Sequence, residues 1–354
     1  MKWGNFPLPV DLIKAVAIIL VIVYHVVNES WSQTQFSTAQ YRTLLTSVDV
    51  CLSFVTIGVP LFFMTSGSLL LQSSKVDEPI RVFLKKRLAR VGLAFVFWSA
   101  IYFVWSYYAL HVPLTFYSVT QALLSGGAYN QFWFIYALMG LYLITPILRM
   151  VIKSSKREML RYLIILWVLA AFVPPLLRLA TGLGIDNTLL LFGGYIGYFV
   201  LGLYLMGVKI KTKLLIGFLS GGIISTFLGL LLLQGPFDFL GNYYFFDGYM
   251  SFTVLLSSIA AFLLLSKLSW NWPGERRPWL SKLVHAIGEN TLPIFFMHAI
   301  VIEVLNSGTL GIRISLTSMS PLIEIPLATV ATLFICLGSI LVIKRIPFFR
   351  KLIG

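Results

Sequence analysis

The stretch Val10–Val27, VDLIKAVAIILVIVYHVV, is hydrocarbon interrupted by three ionisable groups, Asp11, Lys14 and His25. About twenty apolar residues, each rising 1.5 Å along a helix, cross a hydrocarbon core of about 30 Å. Comparable apolar runs recur along the 354-residue chain, which is 58% hydrophobic and only 11% charged, with a mean hydropathy of +0.88. A soluble domain carries about a quarter charged residues. An all-α polytopic membrane protein follows, a bundle of about ten transmembrane helices. The spans fall at about 8–28, 50–71, 89–109, 132–150, 160–180, 190–208, 214–234, 249–267, 290–306 and 323–343. Asp11 and Lys14 sit inside the first run and no small-residue cleavage site follows His25, so the run reads as a span rather than a removable signal. The whole of 1–354 reads as one transmembrane domain with no appended soluble domain.

The net charge of +14 could point to nucleic acid, but its distribution points to the bilayer. With the amino terminus in the cytoplasm, all but four of the 27 Lys and Arg fall at the cytoplasmic face; Arg42, Arg178 and Arg313 fall outside and Lys14 lies within the first span. That bias predicts cytoplasmic N- and C-termini. Cys51 and Cys336 fall near opposite faces, too far apart for a disulfide. Trp3, Trp31, Trp270, Trp272 and Trp279 lie near span ends, as interfacial anchors do. Phe36, Tyr41, Leu44 and Leu45 could form one face of a short interfacial helix in the first outer loop. In GGYIGYFVLGLYLMG, Gly193–Gly207, small residues suit close helix packing.

On an ideal helix Lys14 and His25 stand about 20° apart after three turns, separated by about 16 Å, and Asp11 lies about 40° from His25. The three form one stripe. A charge at the bilayer centre costs about 2.5–3.5 kcal/mol on insertion scales, so the stripe faces the bundle or a wet cavity. Three readings fit it: an Asp11–Lys14 pair with His25 bonded to a neighbouring helix, an ion or proton path, or catalysis with His25 as general base. In GVPLFFMTSGSLLL, Gly58–Leu71, Pro60 frees backbone groups, and Ser66 and Gly67 allow close approach of a ligand or helix. In RVFLKKRLARVGL, Arg81–Leu93, Arg87 and Arg90 are i,i+3 neighbours. The cluster serves topology, and its guanidinium forks also match phosphate oxygens. His298 reads as a structural hydrogen-bonding residue, and His111 and His285 as loop residues without a role. No metal-ligand spacing and no glycine-rich phosphate loop is present.

The ordered set of DLIKAVAIILVIVYH (11–25), VPLFFMTSG (59–67), KRLARV (86–91), FWSAIY (97–102), QFWFIYALMGLYLITP (131–146), YIGYFVLGLYL (195–205) and NTLPIFFMHAIVI (290–302) resembles the integral-membrane acyltransferase family 3. The resemblance implies a multi-pass O-acetyltransferase of the plasma (inner) membrane. Such a protein moves an acyl group, usually acetyl, from cytoplasmic acyl-CoA to a hydroxyl of an extracytoplasmic cell-envelope glycan or glycolipid. Acetyl-CoA is the implied donor; neither metal nor nucleic acid is implied. Lys14 stands where the family has Arg, keeping the charge without the fork, and His25 stands at the family His. Arg87 fits the first Arg of the family's Arg-x-Arg pair, and Ala89 falls at the second.

The expected site follows. His25 is the general base, oriented by Glu29 at i+4 or by Asp49 at the start of the second span. Lys14, Lys86, Arg87 and Arg90 hold the CoA phosphates, and Ser66, Trp133 and Tyr136 line the path. A transporter or flippase of a lipid-linked glycan or small polar solute is the alternative class, although the two halves show no inverted repeat.

Overall fold

A computed structural model describes residues 9–32, 38–72, 77–181, 194–233, 244–268, 277–309, 311–315 and 319–354. Among these the secondary structure is helical, without strands. The helices are α1 (Val10–Ser32), α2 (Thr38–Val55), α3 (Gly58–Leu70), α4 (Ile80–Tyr108), α5 (Phe116–Leu124), α6 (Trp133–Ser154), α7 (Arg157–Thr181) and α8 (Gly194–Leu205). They continue with α9 (Thr212–Leu233), α10 (Tyr244–Asp247), α11 (Phe252–Ser266), α12 (Pro278–Glu289), α13 (Thr291–Ser307), α14 (Pro321–Ile343) and α15 (Pro347–Leu352).

Among the described residues, seven segments are long and apolar enough to cross a membrane: Val10–Asn28, Thr46–Leu70, Ile80–Tyr108, Asn130–Ser154, Thr212–Leu232, Phe245–Ser266 and Pro321–Ile343. The chain is therefore a polytopic helical membrane protein. The expected spans at 160–180, 190–208 and 290–306 coincide with α7, the short apolar α8 and α13.

The expected span at 50–71 is a helix pair, α2 and α3, broken at Thr56–Ile57. Phe36, and the side chains of Tyr41, Leu44 and Leu45 expected to share a face with it, lie outside the described residues. Cys51 and Cys336 are free thiols, as expected.

One expectation fails near the end of the chain. The connection holding His285 is not loop but the helix α12, set at 82° to α13. The break has a local cause. Pro293 sits in the first turn of α13, where its missing N–H costs nothing, but a continuous helix would drive its ring into the Glu289 carbonyl. The helix α12 therefore leaves the bundle direction. It turns Ile287 inward and exposes Lys282, His285 and Glu289, which places it outside the membrane-spanning segments.

The helix α1 sits at the centre, against α2, α3, α11, α12, α13 and α14. Its Ile13, Ala17, Ile18, Ile22, Val26 and Val27 are fully or almost fully buried. Around it, α3 packs on α8 through reciprocal glycines. A Cβ on Gly67 would lie 1.7 Å from the Phe199 carbonyl oxygen, and one on Gly202 would lie 1.9 Å from the Met64 oxygen. The glycine-rich stretch thus brings two backbones together, as the small residues suggest.

Candidate active site

Two cavities lie back to back against α1. The first, about 220 Å³, is lined by Lys14, Ser66, Arg87, Arg90, Tyr142 and Thr291 together with apolar residues of α3, α4, α6 and α13. The second, about 240 Å³, is lined by Tyr24, His25, Asn130, Gln131, Trp133 and Tyr249. Phe134 and Phe295 belong to the walls of both. Their rings stand 5.0 Å apart between centroids and divide a basic chamber from a histidine chamber. Two members of the expected stripe on α1 face cavities within the bundle: Lys14 opens on one chamber and His25 on the other, while Asp11 lines neither.

Lys14 lies against α12. Its Nζ donates to the Gly288 carbonyl at 3.3 Å. The approach requires glycine, since a Cβ at 288 would lie 2.5 Å from Asp11 Cβ. The partner of Asp11 is His285 rather than Lys14: Asp11 Oδ2 and His285 Nδ1 are 2.7 Å apart, and His285 Nε2 lies 3.3 Å from Glu289 Oε1. The hydrogen bond to Asp11, aided by the Glu289 charge, raises the His285 pKa above its ordinary 6.5. In the basic chamber the Arg87 Nε is buried with no hydrogen-bond partner. An unsatisfied buried donor is uncommon and marks a place where a ligand or ordered water completes the bonding.

The other expected site residues divide. Ser66 lies in the basic chamber and Trp133 in the histidine chamber. Lys86, next to Arg87 in sequence, points about 100° away around the helix; it is exposed and lines neither chamber. Tyr136 lines neither chamber, because its hydroxyl donates to the Leu123 carbonyl at 2.5 Å and so ties α5 to α6. Asp49 is buried at 2% exposure in α2, away from the lining of the histidine chamber. The Glu29 side chain lies outside the described residues.

Three features in or beside the histidine chamber go beyond the site expected from sequence. His298 of α13 is fully buried, and its ring centroid lies 4.9 Å from that of His25. Its Nδ1 is 2.6 Å from the Phe295 carbonyl oxygen. A carbonyl only accepts, so Nδ1 carries the proton and Nε2 keeps its lone pair. That Nε2 is buried and has no partner. The available signal was an ionisable residue in mid-span, the same signal that singled out His25.

Gln131 is the second feature. Its Nε2 donates to the Tyr102 hydroxyl at 2.9 Å, which donates to the Phe296 carbonyl at 2.7 Å. The Gln131 Oε1 is left without a partner in a residue that lines the chamber.

The third is an aromatic wall. Trp133 stacks on Tyr195 at 5.3 Å and lies 5.6 Å from Tyr249, which in turn is 6.4 Å from Tyr24. A larger apolar cavity of about 690 Å³, lined by α7, Tyr195, Tyr249 and the start of α11, adjoins this wall. No cluster of three or more metal-ligating side chains occurs among the described residues.

Chemically, the arrangement offers cations and hydrogen-bond donors on one side of an aromatic partition. On the other it offers an imidazole, an unpaired amide oxygen and aromatic faces. The profile of the acyltransferase domain of family 3 matches residues 9–341. No curated protein and no solved structure matches the chain. With the profile covering nearly the whole sequence, the chain belongs to acyltransferase family 3 and is a membrane acyltransferase.

Proposed function

We propose that the protein transfers an acetyl group from cytoplasmic acetyl-CoA to a hydroxyl of an extracytoplasmic envelope glycan or glycolipid, as a multi-pass protein of the plasma (inner) membrane. The observation that carries this reading is the pair of chambers sharing Phe134 and Phe295, one holding Lys14, Arg87 and Arg90 and the other His25. The charge bias of the loops supports an orientation with the basic chamber toward the cytoplasm, where acyl-CoA resides. The phosphates sit against Lys14, Arg87 and Arg90, and the thioester passes between the two phenylalanines toward His25.

In the transfer, neutral His25 takes the proton of the acceptor hydroxyl as its oxygen attacks the thioester carbonyl carbon. The tetrahedral intermediate collapses with loss of the carbon–sulfur bond. The departing CoA sulfur takes the proton from the imidazolium, and the ester remains on the acceptor. Asn130 and the Gln131 Oε1 supply hydrogen bonds to acceptor hydroxyls, and the faces of Trp133, Tyr24 and Tyr249 suit a sugar ring. The adjoining apolar cavity, which shares Tyr249 with the histidine chamber, suits the chain of a lipid-linked acceptor.

The test compares envelope glycans by mass with and without the gene, and with the His25→Ala variant. The expected outcome is one acetyl unit per modified residue in the wild type, lost in both other strains while the variant folds normally. A normally acetylated glycan from well-folded His25→Ala protein overturns the base assignment, and no change on gene deletion overturns the acceptor class.

A further inference from the structure

We infer that His298 is the positioning residue for His25, doing the work that Glu29 or Asp49 was expected to do; this rests on His25 being the base. The hydrogen bond from His298 Nδ1 to the Phe295 carbonyl, 2.6 Å long, fixes both the tautomer and the ring plane of His298. It commits Nε2 to be an acceptor. That acceptor is fully buried, has no partner, and belongs to a ring whose centroid is 4.9 Å from the His25 ring. Leaving a buried acceptor unpaired costs about 1–3 kcal/mol. The nearest ring able to supply an N–H is His25.

The terminal torsion of a histidine is broad, so a turn of the His25 ring brings one of its nitrogens into hydrogen-bond reach of His298 Nε2. Catalytic hydrogen bonds commonly close in this way only when substrate is bound. The His25 nitrogen facing His298 then carries the proton. The other nitrogen, left with its lone pair, faces the chamber that Gln131 and Trp133 line. When His25 takes the acceptor proton, both its nitrogens carry hydrogen. The N–H toward His298 becomes a charge-assisted donor, which stabilises the imidazolium as it forms. A neutral imidazole suits this position, because it orients the base without adding a second charge to the bundle interior.

Two substitutions separate positioning from mere structure. His298→Asn keeps a polar group at the Nδ1 position, able to bond the Phe295 carbonyl, and removes the acceptor at Nε2. His298→Gln does the reverse, placing an amide oxygen near the Nε2 position and giving up the near bond. The assay follows CoA thiol released from acetyl-CoA by the full chain in nanodiscs. The acceptor is the envelope glycan fraction of cells lacking the gene.

For a positioning role, His298→Asn lowers kcat on the order of 10²-fold with KM for acetyl-CoA unchanged, and His298→Gln recovers most of the loss. In a His25→Ala background, His298→Asn adds no further loss. A purely structural His298 gives the opposite order, with Asn near wild type and Gln impaired, and that result overturns the inference. Wild-type kcat in a folded His298→Asn protein also overturns it, while an inactive His25→Ala protein leaves the base assignment standing. Activity surviving in His25→Ala removes the base assignment instead.

Discussion

Phe134 of α6 and Phe295 of α13 meet with ring centroids 5.0 Å apart, and each forms part of two chambers at once. The pair is the wall the two chambers share, so on the proposed route it sets what can pass. Phe134→Leu keeps an apolar side chain and avoids the 3–5 kcal/mol that Phe→Ala costs in a packed core, on the order of the protein's whole margin. The expected outcome is a rise of several-fold in kcat/KM for butyryl-CoA relative to acetyl-CoA. Phe134→Trp should lower both. The ratio, measured on the purified protein, decides; a ratio unmoved by either substitution means the acyl group takes another route.

The basic chamber predicts an order of effects on donor binding. Arg87 lines it and has a buried, unpaired Nε. A hydrogen bond to a charged group contributes about 1.5–3 kcal/mol, so Arg87→Ala should raise KM for acetyl-CoA about tenfold or more. Arg90 also lines the chamber but is exposed, and screening reduces its share to about threefold. Lys86→Ala should leave KM within about twofold, because its side chain points to solvent. If Lys86→Ala were as damaging as Arg87→Ala, a diffuse field rather than a built chamber would be holding the donor.

That contrast shows what the sequence makes legible. Lys14 and His25 were readable as one stripe because a helix has a fixed period and both residues lie on it. The same period separates Lys86 from Arg87, but which of the two faces the chamber depends on where α4 meets α6 and α13. The Phe134–Phe295 partition joins helices far apart in the chain, and no local pattern carries that pairing. His298 was visible as a polar residue in a span. Its orphaned Nε2 was not, since that depends on the bond of its Nδ1 to the Phe295 carbonyl and on the placement of α1. His285 was hidden for a different reason. The break before Pro293 is local, but its consequence, α12 folding across to reach Asp11, is not.

The contact between α3 and α8 gives a stability prediction. Gly67→Ala and Gly202→Ala each place a methyl group within 2 Å of a carbonyl oxygen on the facing helix, so the two backbones must separate. Overpacking of this kind costs about 1–3 kcal/mol. The double variant should lose less than the sum, because one displaced interface accommodates both. Gly140→Ala in α6 is the control: nothing lies within 4 Å of its Cβ, and the gain in helix propensity is up to about 1 kcal/mol. Thermal unfolding in detergent reads all four variants against the wild type. Equal melting temperatures for Gly140→Ala and Gly202→Ala would remove the glycine contact as a cause.

The pair of His285 and Asp11 makes the attachment of α12 pH-dependent, with a definite sign. The His285 pKa is raised in the folded protein, chiefly by its hydrogen bond to Asp11 and further by Glu289. The folded state therefore holds the proton more tightly than the unfolded state. The stabilisation is complete below the ordinary value of 6.5 and fades as pH rises through the raised folded value. The His285 side chain is 61% exposed, so solvent screening keeps the effect small. The difference in melting temperature between wild type and His285→Ala should be largest at about pH 6 and shrink toward about pH 9. Asp11→Asn should flatten that profile. A difference that grows with pH would contradict the assigned direction. The attachment also bears on the basic chamber, because Lys14 Nζ bonds the Gly288 carbonyl near the end of the same helix. Loosening α12 at high pH should therefore raise KM for acetyl-CoA in the wild type by more than in His285→Ala, where the pH-sensitive tie is already gone.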